Sequence, residues 1–502
     1  MPSDTGQGTL DLPEATPTKK MYRTRAEIAS AIKSARDIMR KDAGLNGDLD
    51  RLPQLSWLLF LRAFSVRSEE FRSYEDEYEP ALEGRYRWQE WGSNEDLTGE
   101  KFLNFVNNDL LPHLRKLEGT ESRNVISTIF KEVNNRMLSG TLLRDLVNIV
   151  DRIDFHADES VHMMAFVYES IMKEMRDAAG DSGEFYTPRP VIEFMVAQSF
   201  LELGESIMDP ACGTGGFLVA AHDALNPRVT TSVQRGRLHK NIRGIEKKPL
   251  PYLLCMMNLL LHDLDAPRVI RDNALVRMNN DNSPRSRVDV ILTNPPFGGE
   301  EEKSVADSFP KGFATRETAW LFLYAIIEKI KPGGRCAIVL PNGSLFDTRS
   351  SATRIKEKLL KECNLHTIVR LPQGVFAPYT QIPANILFFE KTGRTEDIWF
   401  YEIPLPEGRR GYTKTKPMRF EEFADCIEWW GGSNRTGRSS NDHAWIVGAG
   451  EIIDSGYNLD RDNWNAAGDF THRSPKELIG DLLASERSII RLLEEIESEI
   501  GK

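Results

Sequence analysis

Apolar positions along the chain follow two rhythms. From about residue 24 to 150 they recur at helical spacing, with few strand signals. Residues 51–71 are apolar nearly all round through Trp57, Leu58, Leu59, Phe60 and Leu61, which predicts a buried helix. Residues 138–155 set Leu142, Leu146, Ile149 and Ile153 on one face of a second helix. Past residue 205 the rhythm changes to short β-branched runs separated by helical stretches. Strands are expected after residue 205, at 242–245, from 268 to just before 272, and at 288–292, 335–340, 365–370, 385–390 and 398–401. The turn Lys331-Pro332-Gly333-Gly334 is expected to separate a helix over 317–330 from the strand after it. Such alternation predicts an α/β fold, a doubly wound, Rossmann-like sheet of about seven strands behind a helical N-terminal domain.

The division expected is a disordered tail over 1–20, a helical domain over 21–155, an α/β domain over 156–403, an extension over 404–473 and a helix over 474–502. The extension carries Trp429, Trp430 and Trp445 but no interpretable motif. The last segment opens with a capping box, Ser474-Pro475-Lys476-Glu477. One apolar seam follows, through Ile479, Leu482, Ile489, Leu493, Ile496 and Ile500, and such a seam wants a partner helix.

Composition narrows the class. The 502 residues are 40% hydrophobic and 28% charged, ordinary for a water-soluble protein, and no apolar run reaches membrane-spanning length. Five scattered cysteines without metal-ligand spacing point to a reduced, cytoplasmic setting and to no metal. A net charge of −11 argues against strong unaided binding to nucleic acid. One basic stretch stands out, with Lys19, Lys20, Arg23, Arg25, Lys33, Arg36, Arg40 and Lys41 against Glu27 and Asp37; a solvated helix face is the plainer reading of it.

The candidate chemistry centres on residues 288–299, VDVILTNPPFGG. An apolar strand stops at Asn294-Pro295-Pro296-Phe297, where two prolines remove two amide donors. That leaves an acceptor-rich, donor-poor pocket with an aromatic lid at the carboxyl edge of the sheet. It suits a planar ring bearing an NH2 group. Upstream, DPACGTGGF puts a glycine turn, Gly213, Gly215 and Gly216, between a first strand and an apolar helix. Its spacing fits neither a dinucleotide fingerprint nor a phosphate loop. The leading Asp209 suits a cationic ligand such as an ammonium or sulfonium. Glu246, ending the second strand, could accept from ribose hydroxyls, and Asp272, past the third, from an adenine amino group; a turn Glu and a capping Asp are the alternatives. Before all of these, Thr187 and Arg189 at a proline-marked helix entrance, with Pro188 and Pro190, offer donors to a carboxylate, or merely a cap. Phe376 and Tyr379 lie in a Gly/Pro-rich loop and could supply a second stacking surface for a base.

Taken in order, these motifs resemble the γ-type arrangement of DNA adenine amino-methyltransferases. DPACGTGGF, NPPFGG and GEFYTPR together look like the modification (M) subunit of type I restriction-modification systems, with WLLFL, KTKPMRFEEF and the terminal helix extending the likeness over nearly the whole chain. The resemblance implies a class I methyltransferase fold and S-adenosylmethionine as cofactor. It implies that Glu184, Phe185, Tyr186, Thr187, Pro188, Arg189, Thr214, Gly215, Gly216 and Glu246 hold that cofactor, and that Asn294 to Phe297 hold a flipped-out adenine of double-stranded DNA. It further implies a separate specificity (S) subunit, one for two copies of this chain, and a restriction (R) translocase subunit. Guanine-amino methyltransferases of ribosomal RNA and glutamine methyltransferases share the fold and a similar tetrapeptide. Neither would need the helical N-terminal domain or GEFYTPR.

Overall fold

The computed structural model describes residues 20–74, 79–155, 187–262, 264, 267–281, 283–377, 380–413 and 415–463, with the single positions 486 and 490. The expected tail over 1–20 (but for Lys20), residues Glu184, Phe185, Tyr186 and Tyr379, and nearly all of the terminal seam lie outside the described residues.

Nine strands form one mixed sheet among the described residues. They are β1 (Ile207–Asp209), β2 (Ile242–Glu246), β3 (Arg268–Arg271), β4 (Val288–Thr293), β5 (Ile330–Pro341), β6 (Asn364–Arg370), β7 (Ala384–Glu390), β8 (Asp397–Glu402) and β9 (Ala444–Gly448). The order is β3-β2-β1-β4-β5-β7-β6-β8-β9. Pairing is parallel from β3 through β5; β7 runs antiparallel to β5 and β6. The order reverses between β1 and β4, the switch point at which open α/β sheets bind ligands.

Two expectations need correction. The strand count is nine rather than about seven, because all eight expected runs join the sheet and β9 adds antiparallel to β8. The turn at Lys331-Pro332-Gly333-Gly334 falls inside β5, as an irregularity between the pairs Val288/Ile330 and Val290/Arg335. Gly333 there takes φ +80°, which favours glycine.

Each sheet face carries a core. One face is covered by helices Arg189–Ala197, Gly216–Leu225 and Pro249–Leu261, continuous with the helical N-terminal domain. The other carries helices Ala274–Asn280, Thr318–Lys329 and Ser350–Glu362. In the N-terminal domain the helix expected over 51–71 spans Asp48–Tyr74, and Trp57 to Leu61 are essentially fully buried. The helix expected over 138–155 is shorter, Gly140–Asp151, because the Ser139 side chain caps its start; its deepest face is Leu143, Leu146, Val147 and Val150, with Leu142 and Ile149 half-buried. Helix Asp48–Tyr74 packs on Pro249–Leu261, and an Arg271–Glu132 ion pair ties the end of β3 to the same domain.

The segment after β8 does not form a separate layer. Phe423 stacks on Phe194 (4.3 Å, 11°), and Trp430 meets Phe194 and Phe388 edge-on, so it closes the core beside helix Arg189–Ala197. No helix among the described residues is long and apolar enough to cross a membrane.

Candidate active site

At the switch point a cleft of about 410 Å³ opens between the ends of β1 and β4 and helices Arg189–Ala197 and Gly216–Leu225. It gathers Thr187, Arg189, Asp209, Gly213, Thr214, Gly216 and Asn294 from the expected site. Pro188, Gly215, Glu246, Asp272, Pro295, Pro296, Phe297 and Phe376 do not line it.

Asp209 ends β1 and is 1% exposed. Its Oδ1 accepts from Thr293 Oγ1 (2.7 Å) and from the Ala211 amide (3.0 Å). Burial pushes its carboxyl up to about 7, against the opposing pull of those hydrogen bonds. A buried acid so poorly solvated favours a cation beside it.

The glycine turn is shaped by packing. Gly213 and Gly215 take φ +52° and +83°. A Cβ on Gly215 would stand 2.8 Å from Cys255 Sγ, and one on Gly216 2.6 Å from Ile192 Cδ1, so these two glycines let helix Gly216–Leu225 approach its neighbours. Behind the turn, Glu246 is already engaged. Its Oε2 accepts from the Gly213 amide (2.9 Å) and its Oε1 from the Lys248 amide (2.7 Å). Burial raises its pKa, opposed by those amides. Asp272 precedes Asn273, the residue that caps helix Ala274–Asn280, and accepts from the Asn273 amide (2.8 Å) and from Arg277 (3.3 Å). Arg189 pairs with Glu193 (3.1 Å), which tempers the cation expected to meet a carboxylate.

At the other end Asn294 is held from across the cleft. Its Nδ2 donates to Thr187 Oγ1 (3.0 Å), while its Oδ1 is buried with no hydrogen-bond partner. Pro295 is buried, and Phe297 is half-buried with its ring edge-on to Phe376 (5.0 Å, 72°). Phe376 is 4% exposed and braces Phe297; it presents no free face of its own, contrary to the expected second stacking surface. The cause is Gly374 at φ +79°, where a Cβ would stand 2.2 Å from the Tyr412 carbonyl, and the Tyr412 amide bonding to Gln373 O (3.0 Å) pins the loop down.

Sequence reasoning missed several supporting residues. Asn258 was legible as a lone polar side chain in the apolar helix Pro249–Leu261; its Nδ2 donates to Thr214 O (3.0 Å) and fixes the turn. Thr293 is joined to Asp209 only by the β1–β4 pairing, which no local signal reveals. Asp223 and His262, 3.2 Å apart, line the far end of the cleft.

Comparison with known proteins gives the family. Residues 159–472 match the family model for N-6 DNA methylases and residues 28–150 the model for the HsdM N-terminal domain. The chain is 46% identical over 487 residues to the type I restriction enzyme EcoEI methylase subunit of Escherichia coli, covering 94% of this chain and 98% of that one. A structure from Vibrio vulnificus YJ016, a modification subunit of a presumed type I restriction enzyme, superposes with TM-score 0.82 at 48% identity over 89% of this chain and 98% of that one. A further structure, solved for complex assembly and conformational transition of the type I R-M system, gives 0.75 at 37% over 95% and 99%. With an acceptor-lined strand end, a glycine turn and these relatives together, the chain belongs to the N-6 DNA methylase family, as an adenine-specific DNA methyltransferase subunit of the type I restriction-modification kind.

Proposed function

We propose that S-adenosylmethionine lies across the glycine turn and that Asn294, Pro295, Pro296 and Phe297 hold the target adenine. The fold and family imply this cofactor, and the residues present suit it. Asp209 offers a buried carboxylate to its cationic half, and Thr187 and Arg189 offer a hydroxyl and a guanidinium to its carboxylate. Glu184, Phe185, Tyr186 and Pro188 belong to the same segment. Gly213, Thr214 and Gly216 would form the floor, with Gly215 shaping the turn beneath it and Glu246 and Asp272 towards the ribose and adenine. The bound cofactor supplies an activated methyl carbon on a sulfonium.

The observation that carries the reading is the orphaned Oδ1 of Asn294. A buried unpaired acceptor costs about 1–3 kcal/mol, so it asks for a donor from outside the protein. An adenine NH2 has two protons to give, one to Asn294 Oδ1 and one to the Pro295 carbonyl. Held so, the nitrogen would be more tetrahedral, with its lone pair free to take up the methyl group; the S–C bond would break as the N–C bond formed, leaving a neutral thioether, and the nitrogen would lose one proton to water. The base must leave the duplex to reach this site. Phe297 then stacks on it, braced by Phe376, with Tyr379 in the same loop. Thr187 is a positioning residue. Its hydroxyl accepts from Asn294 Nδ2, which turns Oδ1 towards the base, and would donate a hydrogen bond to the cofactor carboxylate. Positioning rather than acid-base chemistry does the work.

The domain division given above is part of this reading, with the sheet unit continuing through β9. So is assembly with a specificity subunit at a ratio of two to one, using the seam over 474–502, and with a restriction translocase. Double-stranded DNA would lie between the sheet edge and the helical domain. There the basic stretch is partly neutralised, since Lys20 pairs with Glu27, Arg23 with Asp154 and Arg40 with Asp37. Five buried, unbridged cysteines support a cytoplasmic setting. The test is Asn294→Ala in the assembled enzyme with tritiated cofactor. Label transfer to DNA should vanish while calorimetry finds cofactor affinity within a few-fold of wild type; transfer near the wild-type rate would remove Asn294 from the chemistry.

A further inference from the structure

We propose, resting on the reading of the site given above, that Glu301 is a positioning residue for methyl transfer. It ties the loop that carries Phe297 to the strand tips that carry Glu246 and Asp272.

Three acids follow NPPFGG, and such a run would ordinarily face water. Glu300 does so, with a side chain 60% exposed and paired with Arg316. Glu301 turns inward, and its side chain is 11% exposed. Its Oε2 accepts from Lys247 Nζ and from Asn273 Nδ2, each at 3.3 Å. Lys247 directly follows Glu246 at the end of β2, and Asn273 directly follows Asp272 past β3. One oxygen of the base-holding loop therefore meets both strand tips, each beside a residue placed towards the cofactor's adenosine half. Asn273 is fixed in that direction, because its Oδ1 accepts from the Leu275 amide (3.0 Å) to cap helix Ala274–Asn280.

Sheet order does not supply this contact. β1 lies between β4 and β2, so a residue from the loop after β4 must reach past a strand to touch Lys247 and Asn273. The loop itself is loosely packed near its tip. Gly299 takes φ +103°, and a Cβ on Gly298 or Gly299 would meet nothing within 4 Å. Backbone bonds from the Glu301 amide to Arg316 O (2.8 Å) and from Thr318 Oγ1 to Gly299 O (3.1 Å) fasten the stretch to the start of helix Thr318–Lys329. That helix covers the other sheet face. The Glu301 side chain links the stretch to the cofactor side. Methyl transfer needs the reacting atoms about 3–3.5 Å apart, and a misplacement of about 1 Å can cost about 100-fold. Because Lys247 is half exposed, the pair contributes little to folding, so its loss should show in alignment.

The test uses the assembled enzyme, tritiated cofactor and a duplex containing its methylation site. Glu301→Ala should lower kcat about tenfold, as a sub-ångström misalignment allows, while KM for DNA and calorimetric cofactor affinity stay within a few-fold of wild type. Glu301→Gln keeps an acceptor for Asn273 and should recover most of the rate. Lys247→Ala should cost a few-fold in the wild type and nothing further beside Glu301→Ala, since both remove one tie. Lys247 is exposed enough for its variant to remain informative if Glu301→Ala unfolds the protein. Wild-type kcat in Glu301→Ala, a loss that falls on KM or cofactor affinity instead, a glutamine variant as slow as the alanine, or effects of the two alanine variants that simply add would each overturn the proposal. Failure of the site reading looks different. Asn294→Ala would then transfer label near the wild-type rate, whereas failure of the Glu301 role alone leaves Asn294→Ala inactive.

Discussion

The cleft and the layer behind its glycine turn treat their acceptors in opposite ways. At Asn294 a buried amide oxygen has nothing to accept, while the amide nitrogen beside it is tied to Thr187. At Glu246 both carboxylate oxygens already hold backbone amides, those of Gly213 and Lys248. The first arrangement is built for a donor that the protein does not provide. The second is a clamp on the glycine turn, and any ribose hydroxyl must share oxygens already in use. The cleft at Asn294 is therefore organised around its substrate, and Glu246 around its own loop.

If that contrast holds, Glu246→Ala should do two things at once. It should weaken cofactor binding about tenfold or more and also destabilise the fold by about 1.5–3 kcal/mol, the worth of a charge-assisted hydrogen bond. Calorimetry and thermal unfolding measure the two effects. A loss of affinity with unchanged stability would recast Glu246 as a pure ligand contact.

Asp209 sharpens the same contrast through pH. Its folded pKa, about 7, lies above the ordinary 3.8, so the native state holds a proton that the unfolded state has lost across that window. Its contribution to stability therefore falls as pH rises from about 4 to 7. Cation binding needs the charged form. Cofactor affinity should rise about tenfold between pH 6 and 8, as one ionisation near 7 requires, and the rise should disappear in Asp209→Asn. Parallel profiles for the two proteins would place Asp209 away from the cofactor.

Thr187→Val should have a smaller effect, lowering kcat about five- to tenfold, as for one orienting hydrogen bond of about 1 kcal/mol. KM for DNA should move little and Thr187→Ser should restore the rate. A serine variant as slow as the valine would mean that packing rather than the hydroxyl matters.

Much of this was legible in the sequence. Eight of the strands and the glycine turn follow from local periodicity, and NPPF from the chemistry of prolines and one amide. What escaped depends on contacts between distant segments. β9 was missed because its run, Ala444–Gly448, is short and follows a polar stretch; pairing with β8 and the stacking of Trp445 on Phe400 (5.3 Å, 11°) make it a strand. Phe376 read as a loop aromatic, because burial by the Tyr412 segment leaves no mark near residue 376. Glu246 was placed correctly at its strand tip, but its grip on the Gly213 amide is set by the turn's three-dimensional path.

The most direct test of the acceptor claim couples Asn294 to the amino group itself. In a double-mutant cycle, wild type and Asn294→Ala would each bind DNA carrying adenine or unsubstituted purine, which lacks the amino group, at the target position. The account predicts that wild type prefers adenine and that Asn294→Ala largely loses the preference, with a coupling energy of about 1 kcal/mol or more. Additive effects, with the alanine enzyme preferring adenine as strongly as wild type, would contradict it.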